Sequence, residues 1–227
     1  MKVGGNMGVP NLIVMLTHND MTVSNASDVF EQCKNAYCEY FGMKEESLPP
    51  NEMKRLFEYM KSCGKKTVLE VVAYTHEECV KGAKLAKYCG CDILMGTIYS
   101  DDINEFCHEN GILYMPFIGD IQGRPSILTG SIDDMVEQAN FYSEKNVFGV
   151  DLLGYRYTGN AFELNSKVVA GANTNVCLAG SVNSFQRVDE VRAINPWAFT
   201  IGSAFFEKKF GGSFTEQIDA VQKCLRR

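Results

Sequence analysis

Residues 176–210 read VCLAGSVNSFQRVDEVRAINPWAFTIGSAFFEKKF, and the reading of this stretch decides the fold. It holds two short apolar runs, Cys177-Leu178-Ala179 and Ala198-Phe199-Thr200-Ile201, each stopped by a Gly-Ser pair. Between them lies a segment that can form one amphipathic helix. Runs this short suit buried strands, and a glycine at the end of each lets backbone amides come close to a ligand. After Ser203 the sequence AFFEKKF has room for one more helical turn, whose first N–H groups have no intrahelical acceptor and carry partial positive charge. An anion such as phosphate fits there. Taken singly, Gly180 or Gly202 can also serve a tight strand-to-helix turn without any ligand; the pairing at the end of the chain is the more specific signal.

Working outward, the same unit recurs upstream. Apolar runs at 12–16, 39–43, 67–73, 93–98, 112–118 and 147–153 precede those at 176–179 and 198–201, eight in all. Helix signals fill the gaps: caps at 24–27, Pro50 opening NEMKRLFEYMKSC before Gly64, a capping box from Thr75 to Glu78, a looser one from Ser131, and Ser184 and Ser213 ahead of the last two helices. Eight strands alternating with helices over roughly 200–250 residues predict an α/β fold, a single-domain (β/α)8 TIM barrel over 1–227, with a doubly wound open sheet as the alternative. The paired Gly-Ser turns decide between them. They follow the seventh and eighth runs, where such barrels hold phosphate between two loops and a short extra helix.

Composition narrows the partners. The net charge of −6 and pI near 5.2, with 22 Lys and Arg against 28 Asp and Glu, argue against a nucleic-acid footprint, so a phosphate site has to be local. No apolar run reaches the roughly 18–20 residues of a membrane span, and MKVGGNMGVP lacks the apolar region of a signal peptide, so the expectation is a soluble cytoplasmic protein without a membrane partner. The nine cysteines read as core residues, and the lone C-x-C at Cys89 and Cys91 lacks zinc-site spacing, so no metal is expected. Trp197, Phe205, Phe206 and Phe210 offer either an interface for a homo-oligomer or packing beneath the last helix; packing is the expectation.

The segment 178–210, followed by SFTEQIDAV, resembles the C-terminal quarter of the ribulose-phosphate-binding barrels, in particular the histidine-biosynthesis isomerases, and also N-acetylmannosamine-6-phosphate 2-epimerases. In those families two small-residue turns and a short helix hold a sugar phosphate. The resemblance therefore implies that Gly180, Ser181, Gly202 and Ser203 bind phosphate. The first turn there is often Gly-Gly, and here it is Gly180-Ser181. The match covers about a fifth of the chain and carries no catalytic motif with it.

Candidate chemistry is sought where barrel strands end, since those positions share one mouth. Strand one ends in Thr17-His18-Asn19-Asp20 and strand two in Lys44-Glu45-Glu46. Glu70 interrupts the apolar run VLEVVAY, and a carboxylate there must face the barrel interior and meet a cation, for which Lys44 is the partner. Asp151, in VFGVDLLGY, is a second inward carboxylate and a candidate general base, with Asp20 as a substitute and Lys44 or His18 polarising a carbonyl. A structural ion pair for Glu70 and a hydrogen-bonded structural role for His18 are the competing readings, and His76 and His108 read as solvated helix positions. The segments 119–125 and 154–159 read as mobile lids carrying Arg124 and Arg156 as donors to anionic oxygens, Arg156 being the preferred substrate contact; the competing reading packs Tyr155 and Tyr157 on the rim and leaves Arg156 in solvent.

The expected function is an isomerase or epimerase of a phosphorylated sugar, working by acid-base proton transfer next to a carbonyl and needing no cofactor. The alternatives are an aldolase or lyase on a sugar phosphate, either with Lys44 as a Schiff base or by retro-aldol cleavage through a carbanion, a barrel holding FMN by the same cradle, and a non-catalytic barrel that binds a phosphorylated metabolite.

Overall fold

The structure, a computed structural model, describes residues 8–227. The reading of the first seven residues as free of a leader, and their place in the domain, lie outside the described residues. Eight strands make the barrel: β1 (Asn11–Met15), β2 (Tyr40–Lys44), β3 (Lys66–Val71), β4 (Ile93–Gly96), β5 (Leu113–Met115), β6 (Gly149–Leu152), β7 (Asn175–Leu178) and β8 (Ala198–Ile201). They pair in parallel in the order β6-β7-β8-β1-β2-β3-β4-β5. The ring closes between β5 and β6, where the Phe148 and Asp151 amides donate to the Tyr114 and Pro116 carbonyls at 3.0 and 2.8 Å and the Ile118 amide donates to Asp151 at 3.3 Å. The chain is a (β/α)8 barrel.

Helices α1 (Ala26–Cys33), α2 (Pro50–Ser62), α3 (His76–Cys89), α4 (Asp101–Glu109), α5 (Ile132–Glu144), α6 (Ala161–Gly171), α7 (Phe185–Ile194), α8 (Ser203–Phe206) and α9 (Phe214–Leu225) connect the strands and cover the barrel. Their starts follow the cap residues. Thr75, Ser131, Ser184 and Ser213 each accept a bond from the amide three residues on, at 3.1 to 3.3 Å, and Ser213 with Glu216 forms a full capping box. Ser24–Ser27 behave differently: Asn25 caps α1 without a side-chain bond.

Successive residues of a strand face opposite sides, so the register sorts the core into two layers. Inside the barrel Ile13, Met15, Val68, Ile93, Met95 and Met115 interlock, and Trp197 packs edge-on to Tyr40 and Phe148. Between strands and helices lies the larger cluster, where Phe205 meets Phe210 and Phe214. Phe205 and Phe210 are therefore packed inside the fold, while Trp197 and Phe206 are half-buried. All nine cysteines are unpaired and only Cys63 is not buried. Among the described residues no helix is long and apolar enough to cross a membrane.

The apolar fill stops one layer below the C-terminal rim. There the inward positions are Lys44 of β2, its register partner Glu70 of β3, and Asp151 of β6. Two hairpins sit on this rim: Thr17–His18 with Met21–Thr22, and Asp120–Gln122 with Ile127–Thr129. In the first, Asn19 and Asp20 have φ of 51° and 62°, the left-handed pair that a tight two-residue hairpin turn demands.

A charged cavity at the barrel mouth

A cavity of about 210 Å³ opens at the C-terminal end of the strands. One wall is formed by the turns after β7 and β8, contributing Gly180, Ser181, Gly202 and Ser203; Lys44, Glu70, Asp20 and Arg156 also line it. The sequence-derived phosphate residues and most of the candidate catalytic ones thus share one space.

Each turn needs its glycine for a distinct reason. Gly180 has φ of 77°, and a Cβ on it would stand 2.9 Å from Arg156 Nε, so the missing side chain lets the guanidinium lie across the turn. Ser181 follows at φ 60°, holding the left-handed conformation that a second glycine would take without strain. Its carbonyl accepts a bond from Arg187, which also stacks on Tyr155 with its guanidinium 4.9 Å from the ring centre. Gly202 has an ordinary negative φ; there the constraint is space, because a Cβ would lie 2.5 Å from Thr17 Oγ1. Ser203 opens the four-residue α8, and its hydroxyl accepts the Asn19 amide at 3.1 Å.

The charges form a chain. Lys44 Nζ lies 3.5 Å from Glu70 Oε1 and 3.0 Å from Asp20 Oδ1, and Arg156 grips Asp20 with both nitrogens at 2.7 and 3.0 Å. Burial works to raise the Asp20 pKa, but the Arg156 bonds and the Lys44 charge outweigh it and bring the carboxyl down to about 2. Burial likewise works against the Lys44 ammonium, yet Glu70 and Asp20 together raise its pKa above the ordinary lysine value.

Asp151 differs from the others. It is fully buried and does not line the cavity, and among the described residues its oxygens have no side-chain hydrogen-bond partner, only the Gly96 backbone coming near. Burial, with the Glu70 charge adding to it, pushes its pKa well above the usual carboxylate range despite Lys44. A carboxyl raised in the folded state makes stability fall as pH climbs from about 3.9 through the folded pKa, because the unfolded chain releases the proton more readily. Asp151→Asn removes that penalty. Denaturant melts between pH 4 and 8 are expected to show the variant gaining on the wild type as pH rises, at up to about 1.4 kcal/mol per pH unit. Parallel pH profiles would contradict a neutral Asp151.

Two predicted residues lie elsewhere. His18 packs against Phe206 at 5.7 Å between ring centres, with Nε2 3.9 Å from Glu207, and does not line the cavity, so it is not placed to polarise a carbonyl there. Arg124 lines an adjoining outer vestibule of about 820 Å³, where Glu46 at 2.7 Å and the Val72 carbonyl at 2.8 Å hold it. The segments read as mobile lids are built structure. Residues 120–122 are one arm of a hairpin, 154–156 form a 3-10 turn, and Leu128 bridges to Tyr157 with the Thr158 amide donating to Leu128 at 3.1 Å. Tyr155 and Tyr157 do pack on the rim, bonding Glu190 at 3.0 Å and the Gly130 carbonyl at 2.9 Å, while Arg156 turns into the cavity instead of solvent. Thr17, named with the end of the first strand, lines the cavity too; so do Ser126 and Asn183, isolated polar residues for which the sequence gave no signal.

No protein-family profile and no curated protein sequence matches the chain. Solved structures do. The N-acetylmannosamine-6-phosphate 2-epimerase from Clostridium perfringens superposes with a TM-score of 0.65 over 88% of this chain and 91% of its own, at 15% identity. A monomeric form of the phosphoribosylanthranilate isomerase from Thermotoga maritima gives 0.61 over 96% and 98%, at 14% identity. A glycerol uptake operon antiterminator regulatory protein from Listeria monocytogenes gives 0.59 over 89% and 96%, at 16% identity. The likeness is one of fold. The barrel implied by 178–210 is found, among neighbours that include both enzymes of phosphorylated compounds and a regulator. Among the described residues no group of three or more His, Cys, Asp or Glu is placed to hold a metal ion.

Proposed function

We propose that the chain is an isomerase or epimerase of a phosphorylated sugar. One observation carries this reading: the paired turns after β7 and β8 open into the same cavity as the Lys44–Glu70 pair. In the proposed complex the phosphate is held by the amides and hydroxyls of Ser181 and Ser203 and by Arg156, and the carbon chain reaches toward Lys44 and Glu70. That geometry converts a proton transfer between separate molecules into one between positioned neighbours.

Within this reading Glu70 takes the proton from the carbon next to a carbonyl, and the Lys44 ammonium stabilises the oxygen on which negative charge develops. Proton abstraction falls to Glu70 rather than Asp151 because Glu70 lines the cavity, whereas Asp151 is fully buried, does not line it, and sits in an environment that favours the protonated form. Asp151 then serves as a neutral buried neighbour of the pair. A Schiff-base lyase would need the free amine of Lys44, and Glu70 and Asp20 favour the ammonium. The printed activities of two fold neighbours, an epimerase and an isomerase, agree with the reading without deciding it.

The test is solvent exchange. Incubated in D2O with phosphorylated aldoses, ketoses and amino sugars, the protein is expected to wash out the proton next to the carbonyl of one class, followed by proton NMR. Loss of no such proton across the whole set would contradict the proposal.

A further inference from the structure

We propose that Asp20 is a resident anion: its carboxylate occupies the Arg156–Lys44 cation pair where the cavity meets the outer vestibule, and the phosphate of an incoming ligand must displace it. The inference rests on the phosphate reading above and adds to it a residue that sets which ligands are admitted.

The geometry makes the case. Asp20, Arg156, Ser181 and Ser203 line both the inner cavity and the outer vestibule, so Asp20 stands where the two spaces meet. Its two oxygens satisfy Arg156 in the two-pronged manner that a phosphate would use, at 2.7 and 3.0 Å, and one of them also accepts Lys44 at 3.0 Å. The hairpin is fastened at both ends: Thr22 Oγ1 bonds the backbone of Lys44 at 2.8 and 2.9 Å, and the Asn19 amide bonds Ser203. The carboxylate is thereby held beside Ser203, and its release from Arg156 needs only a side-chain rotation. A ligand has to displace the carboxylate to reach the cation pair, and only one that brings comparable negative charge regains the lost bonds. Asp20 thereby weakens every ligand at this position, and weakens most those, such as neutral sugars, that cannot replace its bonds.

The test is calorimetric titration with inorganic phosphate of the wild type, Asp20→Asn and Asp20→Gly, with circular dichroism confirming the fold. Both replacements tolerate the positive φ of 62° at this position. Expected is phosphate affinity higher by about tenfold or more in both variants, the worth of a hydrogen bond to a charged partner. In an Arg156→Gln background the Asp20→Asn change is expected to lose most of that effect. Unchanged or weaker affinity in both single variants overturns the resident-anion role while leaving the phosphate site standing. Failure of all three proteins to bind phosphate overturns the phosphate reading and this inference with it.

Discussion

Glu70→Gln is expected to lower turnover of any accepted sugar phosphate by about 10²–10⁴-fold while leaving phosphate affinity little changed. Glutamine keeps the shape of the side chain on β3 but cannot take a proton. Lys44 retains its 3.0 Å contact to Asp20, so the cavity wall should survive the change. The loss is expected in kcat, since the proposed phosphate contacts at the Gly180-Ser181 and Gly202-Ser203 turns do not include Glu70. Steady-state kinetics on the substrate found by solvent exchange check it. Turnover within a few-fold of the wild type would remove Glu70 from the chemistry.

Lys44→Met is expected to destabilise the fold by about 3–5 kcal/mol as well as abolish turnover. The ammonium is nearly buried and lies between Glu70 and Asp20, with Asp151 also sensing its charge. Removing it leaves Glu70 buried without its cation, the costly half of breaking a buried pair. Urea melts at pH 7 measure the stability and steady-state kinetics the turnover. Equal stability at pH 7 would mean that Lys44 does not hold these charges together.

The barrel was legible because its signals are local. The runs 176–179 and 198–201 lie within a residue of β7 and β8, and the serine and threonine caps start α3, α5, α7 and α9. The run 112–118 extends past β5, whose ladder is interrupted at Pro116, which has no amide to donate, and pairing resumes with the Phe117 amide on Thr97 and a bridge from Phe117 to Asp151. The hairpin at 17–22 passed unread, although Asn19-Asp20 is a turn pair, because two-residue arms are too short to show alternation.

The site was legible in part. An acidic residue inside an apolar strand is a strong signal, and it placed Glu70 and Asp151 on the inward face and Glu70 beside Lys44. Whether such an inward carboxylate is open to the cavity depends on the side chains packed over it, which pattern does not encode, so Asp151 was expected to line the mouth and is instead fully buried and not among the lining residues. The Asp20–Arg156 pair joins positions 136 apart, and nothing local to either residue announces the other. The direction of His18, outward onto Phe206, is set by the same hairpin.

The central claim is that one cavity holds the phosphate and the proton-transferring pair together. A crystal structure of the protein soaked with the sugar phosphate whose proton it exchanges tests this directly. The account predicts phosphate density between the Gly180-Ser181 and Gly202-Ser203 turns, Arg156 turned from Asp20 to the phosphate, and the carbonyl end within hydrogen-bonding reach of Lys44 and Glu70. Phosphate bound in the outer vestibule against Arg124, with the carbon chain pointing away from Lys44, would contradict it.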